Sequence, residues 1–292
     1  MSMPTTRWTG TLTALSSISH ASDTRGTITL LRRELIGQPD GRLVHVPIVS
    51  GNTLRGRLRR VGEELLRDAV SYEGKLHPAA AHALRGGGAL AKTSHEPLSG
   101  SRLARLRELV PQISVFGAAG GGTIIDGALA VGKVVPQVLE TNHITGADAT
   151  LSAFSATQIE AYTRQDDAGS HDFTAVPAQE MLLFDDAGAP QPVARATAQQ
   201  MLFNVETFPT GTVFSTWMRL QRPTPLELAF FLDVLNTFTA DPRLGGRIAI
   251  GHGQIRLDLS CTPTPDPATL PDWRTITSAR ADEILDVLGT LT

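Results

Sequence analysis

LVHVPIVSGNTLRGRLRRVGEELLR, residues 43–67, decides how the fold is read. Val44, Val46, Ile48 and Val49 supply β-branched residues for a short strand, and Pro47 marks its edge or end. Ser50 then stands where a helix N-cap belongs, with a side-chain oxygen able to accept from a free backbone N–H. Leu54, Leu58, Val61 and Leu65 recur at i, i+4, i+7 and i+11, which is one helical face. At about 100° per residue, Arg55 and Arg59 fall on one flank of that face and Arg57 on the other, while Arg60 and Arg67 point to the back. Free N–H groups at a helix start favour an anion, and nearby arginines add to the attraction. The strand–turn–helix therefore reads as a place to hold a phosphate backbone.

Outward from this unit, Arg7–Ser16 alternates as a first strand, and 18–26 is a polar loop. Residues 27–36 are rich in β-formers and end in the turn GQPDG. Residues 71–112 read as a helical insertion containing the short basic segment SRLARLRELV. ISVFGAAGGGTIIDGALAVGKVVPQV, residues 113–138, reads as strand, glycine loop, strand. Residues 140–180 lack sustained periodicity, Met181–Phe184 with the turn DDAGAPQP suggests a hairpin tip, and 140–200 together form the expected excursion from the core. Residues 200–220 read as two strands around Pro209-Thr210-Gly211. Thr224–Ala240 carries a threonine cap, a proline in the first turn, and an apolar face of Leu228, Phe231, Leu232 and Leu235. Residues 244–259 give a glycine-rich turn into a last strand, and 262–292 a proline-rich tether and a terminal helix. Without the insertions the order is strand, helix, two strand pairs, helix, strand. The expected fold class is α+β, a ferredoxin-like (RRM-like βαββαβ) core in a single domain over 1–292.

Composition narrows the function. Cys261 is the chain's one cysteine, which excludes an internal disulfide framework and a cysteine-rich zinc site. The N-terminal residues lack the apolar core of a signal peptide, and no run approaches the roughly 18 apolar residues of a membrane span. A cytoplasmic protein with no membrane partner is expected. The net charge is only −3, but residues 1–110 hold 16 Lys or Arg against 9 Asp or Glu, and residues 111–292 hold 10 against 20. The asymmetry, +7 against −10, suggests one face for a polyanion. Arginine outnumbers lysine 23 to 3, which suits forked phosphate contacts and base stacking, although a GC-rich genome also favours it.

Several chemical motifs fall short. Gly127–Val134 imitates a P-loop, but Val134 replaces the hydroxyl needed at magnesium. Ser50 lacks the flanking glycines of a nucleophile elbow. His20 and Asp23 share one loop without spaced partners for a metal. His252 reads as a loop histidine rather than an acid–base catalyst. No cofactor or metal is expected.

Four stretches in order resemble the RAMP superfamily of CRISPR effector subunits. They are PIVSGNTLRGRLRR, VFGAAGGGTIIDGAL, VETFPTGTVFSTWMRL and LGGRIAIGHGQIRL. They span residues 43–259, and the layout is most similar to the repeating backbone subunit of type IV complexes. The resemblance implies a non-enzymatic subunit that polymerises head to tail along CRISPR guide RNA. It would present the guide for pairing with target DNA or RNA, beside other CRISPR effector subunits. It places the RNA grip on Ser50, Asn52, Arg55 and Arg59, with Gly245, Gly246, Arg247, Gly251, His252 and Gly253 beside it. It takes a thumb-like hairpin from 140–200. The alternative is a type III-like subunit that also cleaves target RNA using Asp23. Against it, Gly26-Thr27-Ile28-Thr29 shows no acid where the catalytic one would stand.

Overall fold

The fold is taken from a computed structural model that describes residues 2–88, 100–120, 123–165, 182–184, 190–192 and 200–291. In chain order, β1 (Thr6–Ala14) is followed by β2 (Ala21–Arg25), β3 (Ile28–Leu31), β4 (Arg33–Gly37) and β5 (Leu43–Pro47). Then come α1 (Gly51–Val70), α2 (Pro78–Gly86), α3 (Gly100–Leu109) and α4 (Pro111–Phe116). Short strands β6 (Ala118–Gly120), β7 (Thr123–Ile125), β8 (Leu129–Val131) and β9 (Val135–Pro136) precede α5 (Asn142–Thr145). The chain continues through β10 (Gln158–Gln165), β11 (Leu182–Phe184), β12 (Pro190–Pro192), β13 (Gln200–Thr207) and β14 (Val213–Leu220). It closes with α6 (Pro225–Ala240), β15 (Ile255–Thr262), α7 (Trp273–Ser278) and α8 (Ala281–Gly289).

The central sheet has the order β15-β1-β14-β8, with β9 also pairing β14, and its neighbours are antiparallel. The four main strands stand first, second, third and fourth in the core as β1, β8, β14 and β15. The spatial order is thus fourth-first-third-second, with α1 and α6 as the crossovers, which is the ferredoxin-like arrangement. The long strands β1, β14 and β15 alternate. Phe214, Thr216, Met218 and Leu220 of β14 are buried, while Ser215, Trp217 and Arg219 are turned away. Trp8 and Leu12 of β1 meet Leu54 and Leu58 of α1 and Phe230 and Phe231 of α6 in one core. Trp8 packs edge-on to Phe231 at 5.1 Å between ring centroids, a geometry that favours the aromatic quadrupoles. Helix α6 starts as its sequence dictates: Thr224 accepts from the Glu227 N–H, and Glu227 reaches back to the Thr224 N–H.

A second sheet, β10-β13-β3-β2, stands beside the core. Buried Glu206 of β13 accepts from the Leu31 N–H at 2.9 Å and pairs with Arg33. This fixes β13 to the start of the β4–β5 hairpin.

Four segments differ from the sequence reading. Pro111–Phe116 is a helix with all six residues buried, rather than a strand. Pro111 in the first turn presets helical φ, and burial on every side removes the alternation that separates strand from helix. Residues 21–25 form an exposed strand rather than a loop, because β3 supplies their hydrogen-bond partners. The strands flanking Pro209-Thr210-Gly211 belong to different sheets, β13 to the second and β14 to the central one. Finally, 272–291 gives two helices docked on the core: Trp273 is 4% exposed and packs edge-on to Phe230.

In 71–112, α2 and α3 bury Leu84 and Leu106 in the main core. In the excursion, residues 139–157 are described, as are β10 and the small β11–β12 pair. The remainder of the expected thumb, 166–181, 185–189 and 193–199, lies outside the described residues.

Candidate nucleic-acid interface

The start of α1 and the glycine-rich loop are brought together by a segment between them, Ile18–His20. Gly246 donates its N–H to the Ser19 carbonyl at 2.8 Å, and Gly253 donates to Ser17 at 2.8 Å. One residue further on, His20 accepts the Ser50 N–H through Nε2 at 3.2 Å and faces Thr53 Oγ1 at 3.5 Å. Burial, followed by the nearby Arg32 charge, holds the His20 imidazole below its ordinary pKa. A neutral ring accepting through Nε2 carries its proton on Nδ1. Ser50 is the N-cap residue by backbone, but its side chain makes no capping bond and meets Thr53 Oγ1 at 3.0 Å instead. Asn52 is exposed, on the first turn of a 20-residue helix.

Gly245 and Gly253 are required by close approach. A Cβ at Gly245 would lie 2.4 Å from the Ser19 carbonyl oxygen, and one at Gly253 would lie 2.2 Å from that of Leu244. Both also have positive φ, which favours glycine. Gly246 and Gly251 are exposed, so they leave the outer side of the loop low and open.

Arg247 is the loop's charged side chain. Its guanidinium lies 5.1 Å from the Phe203 ring centroid and 5.8 Å from that of Tyr162. Tyr162 and Phe203 are direct cross-strand partners on β10 and β13, stacked at 5.6 Å. An arginine held on two aromatic faces offers a cation and a stacking plane together. Beneath it, Tyr162 bonds to Glu160 and His252. Burial pushes the Tyr162 phenol up, and its hydrogen bond to Glu160 adds to this, to about 12. Burial opposes ionisation of Glu160, but hydrogen bonds from Ser17, Tyr162, Thr207 and Gln158 overcome it and hold the carboxyl down to about 2.

Three residues expected to face RNA are turned inward. Arg59 is 7% exposed; Nη1 donates to the Gly117 carbonyl at 2.8 Å and Nη2 to that of Phe116. Burial and the neighbouring Arg55 charge lower its pKa to about 10. Arg55 donates from Nη2 to the Phe116 carbonyl at 2.6 Å, and burial lowers its pKa too. These arginines therefore satisfy the orphan carbonyls at the C-terminus of α4, where positive charge is favoured. They flank the apolar stripe of α1 as expected, but that flank is covered by α4. His252 is 5% exposed and lies under the loop, with no partner at Nδ1 among the described residues.

Asp23 stands on exposed β2 and accepts from the Thr24 N–H at 2.8 Å. Among the described residues no three His, Cys, Asp or Glu side chains are placed to share a metal. The P-loop-like stretch does not lead into a helix: β8 passes to β9, and Gly127 packs on Val115 and Gly117.

Sequence reasoning weighed His20 only as a metal ligand, and it passed over Arg32, Tyr162 and Phe203. The two aromatics lie 41 positions apart in separate strands, and only the β10–β13 register joins them.

No helix among the described residues is long and apolar enough to cross a membrane. No protein-family model matches the sequence, and no curated protein does. A solved structure does: a chain of a "Type IV-B CRISPR Complex" is 31% identical, over 92% of this chain and 96% of that one, with a TM-score of 0.59. Identity at this level extends across nearly the whole length of both chains. This chain belongs to the family of type IV-B CRISPR complex subunits.

Proposed function

We propose that this chain is the backbone subunit of its complex, binding guide RNA and repeating head to tail along it. The observation that carries the proposal is the hydrogen-bonded link that ties the start of α1, with exposed Asn52, through His20 and buried Ser19 to the loop of exposed Gly246 and Arg247. Along it run an exposed helix start, a low glycine backbone, exposed Arg32, and Arg247 on its aromatic pair. A sugar–phosphate backbone can lie close to such a surface without its sequence being read, which suits a protein that leaves sequence recognition to base pairing. The excess of positive charge in residues 1–110 supports the same reading.

The proposed role is non-enzymatic. Asp23 has its carboxylate turned to its own strand, and no second acid was expected beside it. Copies of the chain, other CRISPR subunits and a target strand paired to the guide are the proposed partners.

Fluorescence anisotropy with unrelated single-stranded RNAs tests the grip. Arg32→Glu combined with Arg247→Glu should weaken every RNA alike and reduce the slope of log affinity against log salt by about 1 to 2. An unchanged slope would place the phosphate contacts elsewhere.

A further inference from the structure

The outer face of the central sheet holds a groove of about 800 Å³ that is separate from the α1–glycine-loop surface. Its walls include Arg7, Thr9, Thr11, Lys133, Gln137 and Trp217, and among the described residues no Asp or Glu lines it. Trp217 is unusual there. It stands on the solvent side of β14, 37% exposed, while Trp8 and Trp273 are 3% and 4% exposed. The indole lies on the backbone of Gly132, where a Cβ would come within 2.4 Å of Nε1. Arg7 approaches the ring at 5.7 Å from its centroid, and Lys133 stands at the edge, paired with Glu34. A half-exposed aromatic ring, two cations and a floor of hydroxyls are the groups that hold unpaired nucleotides: rings stack on bases, and cations meet phosphates.

The groove is joined to the start of α1 through buried backbone. Its wall at Val131–Gly132 touches Gly51, the first residue of α1: a Cβ there would lie 2.6 Å and 2.7 Å from the two carbonyl oxygens. Val49, two residues earlier, pairs with Val134.

We infer that the groove holds one or two unpaired nucleotides, with a base stacked on Trp217 and phosphates beside Arg7 and Lys133. The inference rests on the reading of this chain as a single-strand RNA binder, and it assigns that strand a second contact.

Tryptophan emission tests it, because Trp217 is the accessible indole of the three. The full-length chain, freed of co-purified nucleic acid, is titrated with a 12-nucleotide oligouridylate, and affinity is measured in parallel by anisotropy. Stacking should quench the wild-type emission. Trp217→Phe, which keeps an aromatic ring and hence the fold, should abolish that quenching. Trp217→Ala should bind about tenfold more weakly at an unchanged melting temperature. Binding with no quenching, and with equal affinity in Trp217→Ala, would overturn the groove assignment and leave the α1–glycine-loop grip standing. No binding by the wild type would overturn both. Quenching that follows protein concentration without oligonucleotide would mark a second copy of the chain in the groove, which also overturns the inference.

Discussion

Arg59 donates from Nη1 to the Gly117 carbonyl at 2.8 Å, so a cation read as facing RNA closes the end of an internal helix. Its fork also reaches the Phe116 carbonyl, and Arg55 converges on the same oxygen. Removing it strands the buried Gly117 carbonyl and leaves Phe116 to Arg55 alone. Arg59→Ala should lower the unfolding free energy by about 3 kcal/mol in urea melts, given about 1.5–3 kcal/mol for each hydrogen bond to a charged group and partial relaxation of the site. Arg59→Lys should recover less than half, because one ammonium cannot span the carbonyls that the fork spans. A loss below about 0.5 kcal/mol, the range of ordinary surface substitutions, would return Arg59 to the surface.

Arg247 has positive φ, at 58°, and its guanidinium rests on Phe203 and Tyr162. Arg247→Gly therefore removes the side chain and relaxes the backbone together. RNA affinity should fall about tenfold, the equivalent of about 1.4 kcal/mol, with no loss of melting temperature. Equal affinity would show that the arginine only closes the loop.

The glycines of the loop divide by what lies against them. Gly253→Ala should destabilise by about 2 kcal/mol, since it combines a contact 2.2 Å from the Leu244 oxygen with a φ of 81°. Gly246→Ala meets nothing nearer than 3.9 Å and should stay within about 0.5 kcal/mol of wild type. Thermal melts of the two variants side by side check this, and equal losses would contradict it.

Glu160 makes a pH prediction. Its folded-state pKa lies near 2 against an ordinary 4.5, so the unfolded chain takes up its proton first on acidification. The stabilisation is present above about pH 4.5 and drains away as pH falls from there toward 2. Other carboxylates titrate in the same window, so the readout is a difference. The melting temperature of Glu160→Gln should fall less steeply over that window than that of wild type. Parallel curves would remove Glu160 from the network under Arg247.

The core was legible in the sequence because two strong signals agreed. The Leu54–Leu65 stripe marked α1, and the Thr224-Pro225 start marked α6. Those two helices fix the crossovers, and the strand order follows from them. Side-chain orientation was less legible: Asn52 and Gly246 are exposed, whereas Arg55 and Arg59 are tied to the carbonyls at the end of α4. Helical angle places a residue on a flank without saying which element covers that flank, and α4 was itself read as a strand. Tyr162 and Phe203 stayed hidden because strand register is a pairing between distant segments.

The central claim is that this chain assembles on RNA. The most direct measurement is the 260/280 nm absorbance ratio of protein purified without nuclease, taken with its elution volume before and after RNase. The account predicts a high ratio and a large particle that RNase reduces toward single chains. An elution volume that stays at one chain, with an absorbance ratio of protein alone even when CRISPR RNA and the partner subunits are co-expressed, would contradict it.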